Sequence, residues 1–245
     1  MLTTANFPFD LDTTSIGLTV STHVDHETKM GVMDEMLTYL NKDGIIQTYF
    51  DVTRPRIGKL ANFVLEMLVA YSLYYLTDPI VCTNVLTFFH MNGRGHELDA
   101  TLDWVYSVLQ HRAYLDGTLY YYGADTFLFF LSRLLSISPS VYARFAPLFA
   151  ERCLERFGAE GDALGLAMRV IAGATVRVRN HVDYERLLRL QEADGSFPLG
   201  WVYKYGGADI LIGNKGLTTA LAVEAVKAIK TLDAESFQWR SQTTL

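Results

Sequence analysis

The sequence predicts an all-α protein built as an α/α toroid, and three observations point there. Apolar residues recur at three- and four-residue spacing through nearly the whole chain, with almost no strand-like alternation. Turns of one composition return along it: Asp43-Gly44, Asp116-Gly117 and Asp194-Gly195 each lead into aromatics, namely Tyr49-Phe50, Tyr120 to Tyr122, and Phe197, Trp201, Tyr203 and Tyr205. Small capping residues precede strongly apolar runs at Asp12 to Ser15, Cys82 to Asn84, Asp125-Thr126, Gly161 to Ala163 and Leu217 to Thr219. Inner helices that all start at one end of a barrel need such openings.

In chain order the periodicity predicts helices over 12–24, 28–41, 60–76, 79–91, 98–114, 124–136, 139–157, 162–176, 181–192 and 216–232. The most apolar of these read as inner helices. Alternating with them are more polar ones, such as 98–114 with Asp99, Asp103, Gln110 and Arg112, which read as the outer layer. Asp-Gly favours a tight turn, and the aromatics after it need a surface to pack on. Five inner-helix starts are too few to close a barrel, so a single toroid domain over residues 1–245 is expected to be incomplete.

Composition excludes several functions. Half of the 245 residues are hydrophobic, enough for a substantial core. A net charge of -6 with scattered Arg residues offers no basic stripe for nucleic acid. Cys82 and Cys153 stand far apart, which removes a disulfide framework or a Cys-rich zinc site and points to a reducing, cytoplasmic setting. The first residues lack the basic and apolar regions of a signal peptide. Leu60 to Leu76 is short for a bilayer span and carries Glu66, so no integral membrane segment is expected.

The chemistry-bearing motif is Asp10-Leu11-Asp12-Thr13-Thr14, two carboxylates at the mouth of an apolar helix. Protonating an alkene requires a carboxylic acid kept neutral by apolar surroundings, with its conjugate base stabilised as the proton leaves. Asp12 fits the acid. Helix N-terminal N–H groups and the Thr13 and Thr14 hydroxyls can receive the anion. Residues two apart point away from each other on a helix, so Asp10 is expected before the first turn. The plain alternative makes Asp10 an N-cap and Asp12 a first-turn acid that complements the helix dipole.

The segments PFDLDTTS, LDWVYSVLQHRAYLDGTLYY and IGNKGLTTALAVEAVKAI resemble the terpene-cyclase part of fungal sesquiterpene cyclases whose full-length members carry an N-terminal haloacid-dehalogenase-like phosphatase domain. The resemblance implies a terpenoid cyclase-like α/α toroid and a class II cyclase that closes farnesyl diphosphate to a drimane-type bicyclic diphosphate. It implies Asp12 as general acid and Asp10 as its support, with Thr13 where squalene-type cyclases have another Asp. Magnesium is implied as an aid in holding the diphosphate, and a separate phosphatase as the enzyme that acts on the product. Two departures are the absence of a phosphatase domain before the motif and of the toroid helices expected there. A third is the stretch 58–77, which has no counterpart in the family pattern and reads either as a retained intron translated in frame or as an ordinary insertion.

A carbocation moving along a folded polyene needs π faces and no water. Tyr49, Phe50, Trp201, Tyr203 and Tyr205 are candidates, although aromatics at helical spacing are commonly core. Arg54, Arg56, Lys204 and Lys215 lie near loops as candidate diphosphate ligands, and Gly213-Asn214-Lys215-Gly216 can cradle an anion at a helix N-terminus. The metal ligands stay unassigned, because the run His23-x-Asp25-His26-Glu27 supplies no third ligand at a telling spacing.

Two other readings share these residues. Asp-x-Asp-x-Thr also fits the nucleophile motif of haloacid-dehalogenase-like phosphatases, with Asp10 attacking phosphorus and Asp12 as acid/base. That motif follows a buried parallel strand, for which Thr3, Thr4, Asn6 and Pro8 are poorly suited. The non-enzymatic reading is a helical-toroid remnant that binds lipid or protein.

Overall fold

The computed structural model describes residues 10–49, 77–205 and 210–243, with side chains described through residue 235. Phe50, Arg54, Arg56, the expected helix 60–76 and the insertion 58–77, apart from Thr77, lie outside the described residues. The chain divides into two compact units, 1–107 and 108–245.

The first unit holds α1 (Leu11–Val20), α2 (His26–Leu37), α3 (Pro79–Met91), a 3-10 turn (Gly95–Leu98) and most of α4 (Asp99–His111). Helix α3 starts where Asp78 accepts from the Ile80 and Val81 amides at 2.8 and 3.3 Å and Pro79 supplies a preset φ. Every residue from Ile80 to Phe89 is buried, so α3 is apolar all round because it is the unit's central helix. Helix α1 packs against it. The expected start at Cys82 to Asn84 is therefore corrected: the cap is Asp78, and Asn84 sits one turn inside the helix.

The second unit holds α5 (Ala124–Ile137), α6 (Pro139–Arg156), α7 (Ala163–Thr175), α8 (His181–Arg189), a hairpin of β1 (Trp201–Lys204) and β2 (Leu211–Gly213), and α9 (Lys215–Thr243). Inner helices α5 and α7 pack side by side, as do α7 and α9, while α6 and α8 flank α7. Ala163, Leu166, Ala167 and Val170 of α7 meet Leu187, Phe197, Ala222, Ala225 and Ile229 in one core. Small residues let these helices approach closely, and each large apolar side chain in such a core contributes about 1.5–3 kcal/mol. Helix α9 begins at its Asn214 cap and α5 after Gly123, each a little before the starts read from Leu217 to Thr219 and Asp125-Thr126.

The repeated Asp-Gly turns share one geometry. Gly44, Gly117 and Gly195 have φ of +75°, +75° and +84°. Each amide donates three residues back, to Asn41, Tyr114 and Glu192, at 2.9–3.0 Å. Glycine is required because the left-handed region strains any residue with a Cβ.

The all-α class expected from the periodicity is what the structure has. The short antiparallel hairpin is the exception, and its Tyr203 also bridges Tyr121. No parallel strand occurs among the described residues, and residues 1–9, where the phosphatase reading needs its strand, lie outside them. Among the described residues no helix is long and apolar enough to cross a membrane.

Candidate functional site

The acidic motif opens α1. Asp10 is the N-cap: its backbone is extended and its carboxylate accepts from the Thr13 amide at 2.6 Å. The Thr14 hydroxyl donates back to the Asp10 carbonyl at 2.7 Å. Asp10 also pairs with Tyr49 in an isolated antiparallel bridge, and the Leu11 amide donates to the Thr48 carbonyl at 2.8 Å. The segment entering Tyr49 is fixed from behind, since Ile46 accepts from Cys82 Sγ at 3.5 Å and donates to Thr101 Oγ1 at 3.1 Å. Asp10, Thr13, Thr14 and Tyr49 are therefore brought together at the start of α1, with Asp12 in its first turn.

Asp12 lies on the buried stripe of α1 with Leu11 and Ser15, while Thr13 is exposed. Only 9% of Asp12 is exposed, and Asn84 Nδ2 donates to its Oδ1 at 2.7 Å. Asn84 is itself 2% exposed and belongs to α3, so two helices hold the acid between them. One turn further along α3 is Phe88, fully buried and edge-to-face with Phe89. The acid thus meets the Asn84 amide on α3, the helix whose residues Ile80 to Phe89 are all buried. Asn84 was legible only as a small polar residue interrupting the run Ile80 to Phe89, a signal taken as a helix opening.

The other described candidates lie in the second unit, at the N-terminal ends of its inner helices. Trp201 donates its amide to Asp162, the cap of α7, at 2.8 Å. The Gly200 amide donates to Thr218 in the first turn of α9, and the Tyr122 amide, just before α5, donates to Val202. Strand β1 therefore gathers the starts of α5, α7 and α9. Tyr203 stacks at a tilt on buried Tyr121, with ring centroids 4.8 Å apart. Trp201 and Tyr205 stay 37% and 58% exposed. Asn214 caps α9 by accepting from the Leu217 amide at 2.9 Å, and Lys215 is paired with Glu192 at 2.5 Å.

A groove of about 390 Å³ in the second unit is lined by Ser136, Thr175, Arg177, Glu224, Lys227 and their neighbours, and holds none of the candidate residues. Its walls carry the ion pairs Arg177–Glu235 and Lys227–Glu224, a setting that suits neither an acid nor a polyene. Among the described residues no three His, Cys, Asp or Glu side chains gather as a metal site, and in the His23 to Glu27 run Asp25 caps α2.

Both units are helical, and in the first a buried carboxyl stands at the mouth of α1. Residues 1–92 match the family model described as the sesquiterpene cyclase astC-like C-terminal domain. Over 227 residues, 92% of this chain, the sequence is 40% identical to drimenol cyclase drtB of Aspergillus calidoustus, and the match takes up 39% of that protein. The chain thus spans about two-fifths of the length of the curated relative it matches. The chain is thus similar to sesquiterpene cyclases.

Proposed function

We propose that this chain is the acid-bearing part of a class II sesquiterpene cyclase acting on farnesyl diphosphate, with Asp12 as the general acid. The observation that carries the proposal is the buried Asp12–Asn84 pair. In a neutral carboxyl group the carbonyl oxygen is the better acceptor, so an N–H aimed at Oδ1 favours the hydroxyl on Oδ2. The Oδ2–H bond breaks as the proton adds to the terminal alkene, leaving a tertiary cation. Two neighbouring double bonds then close two carbon–carbon bonds, and loss of a proton from carbon yields a drimane-type bicyclic diphosphate. The Asn84 donor and the first-turn amides of α1 receive the negative charge left on Asp12. Asp10 supports the acid by capping the helix that carries it.

The phosphate ester is untouched in this scheme, so the product leaves as a diphosphate and a separate phosphatase frees the alcohol. Any magnesium accompanies the diphosphate, because the described residues offer no protein cage for a cation. Within the first unit Tyr49 beside Asp10 serves as π surface; within the second, Trp201, Tyr203 and Tyr205 offer π faces of their own, and Lys215 with the α9 N-terminus can hold an anion.

The test is incubation of the chain with farnesyl diphosphate, followed by mass spectrometry before and after phosphatase treatment. A cyclised diphosphate that becomes alcohol only after phosphatase is expected, and Asp12→Asn should abolish it without unfolding the protein. Activity of that variant within a few-fold of wild type would sink the assignment. A trapped phospho-aspartate on Asp10 would favour the phosphatase chemistry instead.

A further inference from the structure

Two buried hydroxyls in the segments that meet at the mouth of α1 have no protein partner among the described residues: Ser15 Oγ and Thr48 Oγ1. The residues are 0% and 3% exposed. Their neighbours behave differently. Thr14 and Thr19 on α1, and Thr83 and Thr87 on α3, each donate to the carbonyl four residues back at 2.7–2.8 Å. That back-bond is the ordinary way for a helical hydroxyl to satisfy itself. Ser15 has the same route open to Leu11 and does not take it. An enclosed, unpaired hydroxyl costs about 1–3 kcal/mol, so a pair of them marks a place where a polar ligand completes the bonding.

The placement of the two points at the acid. Ser15 follows Asp12 by three residues on the buried stripe of α1. Such residues are neighbours on a helix face, with Cβ atoms about 5–6 Å apart. Ser15 Oγ makes no direct bond, and at that separation one water can bridge it to the Asp12 carboxyl. Thr48 reaches the same turn from the other chain segment, held there by the Leu11 amide on its carbonyl. Leu11 is the residue before Asp12.

We propose that Ser15 and Thr48 bind a water molecule beside Asp12, and that this water returns the acid's proton between turnovers. The inference rests on the reading of Asp12 as general acid. Each cyclisation leaves Asp12 as carboxylate, because its proton stays on carbon while a different proton leaves the product cation for solvent. The held water gives a proton to Oδ2, forming the O–H bond, and takes one from the solvent behind it. No net proton is made or lost. The hydroxyls also keep the water engaged, so that it is not free to add to a carbocation.

The experiment separates the two claims. With enzyme in excess over farnesyl diphosphate, the first turnover reads the acid alone; with substrate in excess, the steady state also reads its recharging. Ser15→Ala and Thr48→Val remove the hydroxyls at little change of shape. Both should keep the first-turnover yield, slow the steady state at least about tenfold, and enlarge the solvent deuterium isotope effect on it, while Ser15→Thr restores the rate. Unchanged steady-state rates and isotope effects in both variants would overturn the proposal. Full first-turnover activity in Asp12→Asn would instead overturn the reading beneath it. A crystal structure of the chain gives a readout independent of activity. An ordered water within hydrogen-bond distance of Ser15 Oγ and the Asp12 carboxyl is expected; a protein partner for Ser15 Oγ, or a dry site, would refute it.

Discussion

Asn84 Nδ2 and Asp12 Oδ1 are 2.7 Å apart across the contact between α1 and α3, and both residues are buried. The bond ties the proposed acid to the most enclosed helix of its unit, so the acid's orientation is set by packing as well as by its own helix. It also gives the carboxylate that remains after proton transfer a donor already in place, which costs no reorganisation at that moment.

The first prediction follows from that bond. A hydrogen bond to a charged group contributes about 1.5–3 kcal/mol, equivalent to roughly 10–100-fold in rate. Asn84→Ala should therefore lower the cyclisation kcat by that factor with little change in KM, since the donor acts on the acid and not on bound substrate. Matched progress curves of the two proteins check it. A raised KM at unchanged kcat would move Asn84 out of this role.

The second concerns Asp10, whose carboxylate caps α1 through the Thr13 amide. Asp10→Ala should destabilise the first unit by about 1 kcal/mol, whereas Asp10→Ser, which keeps a capping oxygen, should lose little stability. If capping is the whole of its support, Asp10→Ser also cyclises farnesyl diphosphate within a few-fold of wild type. Urea midpoints and product yields on both variants decide it. A phosphatase nucleophile would not survive either change.

Why the acid was readable and its partner was not has a physical reason. Asp10, Asp12, Thr13 and Thr14 are close in sequence, and their grouping depends only on one helix start. Asn84 reaches Asp12 through a tertiary contact 72 residues away in the chain, and its signal, a polar residue in an apolar run, is shared with ordinary caps. The same reasoning covers Ser15 and Thr48, whose hydroxyls differ from their neighbours only in lacking a bond. The helices were legible because apolar spacing is local. The hairpin of β1 and β2 was not, since it is short and is held by the starts of three helices rather than by its own alternation. Tyr49 was legible as an aromatic after an Asp-Gly turn, and its place beside Asp10 came from the bridge.

A third prediction uses the repeated turns. A Cβ on Gly117 would lie 2.6 Å from the Tyr121 carbonyl oxygen and 2.8 Å from the Gly123 nitrogen, both backbone atoms that cannot step aside. On Gly195 it would meet nothing closer than a side-chain nitrogen 4.0 Å away. Gly195→Ala should then cost only the left-handed strain, about 1–2 kcal/mol, and Gly117→Ala distinctly more. Thermal unfolding of the two variants in parallel reads the difference. Equal losses would mean that the turn at Gly117 relaxes without resistance.

A fourth prediction concerns the charge network of the second unit. Arg169 is 1% exposed and contacts Asp125 and Asp183 at 3.3 Å, and Asp183 is fully buried. Arg156 shares Asp125 at 3.1 Å, and Asn180 donates to Asp183 at 2.8 Å. These bonds join α5, α6, α7 and the start of α8. Removing Arg169 leaves Asp125 and Asp183 with only their outer partners Arg156 and Arg186, so Arg169→Met should destabilise by about 3 kcal/mol. A double variant that also carries Asp183→Asn should recover part of the loss. Urea denaturation of the single and double variants measures the coupling, and strictly additive losses would show that the two residues do not act as a pair.

The last prediction is a pH dependence in the first unit. His90 sits at the end of α3, with Nε2 enclosed and without a hydrogen-bond partner among the described residues. Its ring covers Gly95, where a Cβ would lie 2.3 Å from Cε1. Burial holds its pKa below the ordinary value of 6.5, with nearby Asp99 opposing more weakly. The sign follows directly. Between the lowered folded value and about 6.5 the unfolded chain binds a proton that the folded chain refuses, so stability rises with pH there. His90 thus contributes stability that is present above about pH 6.5 and is lost as pH falls through the folded pKa. Replacing it with Gln removes the titration and keeps the size. The urea midpoint of wild type should fall between about pH 7 and pH 5.5 more steeply than that of His90→Gln, and the two slopes should converge above about pH 7, where neither protein titrates at this site. Parallel slopes through the whole range would show that His90 accepts its proton in the folded state as readily as in the unfolded one.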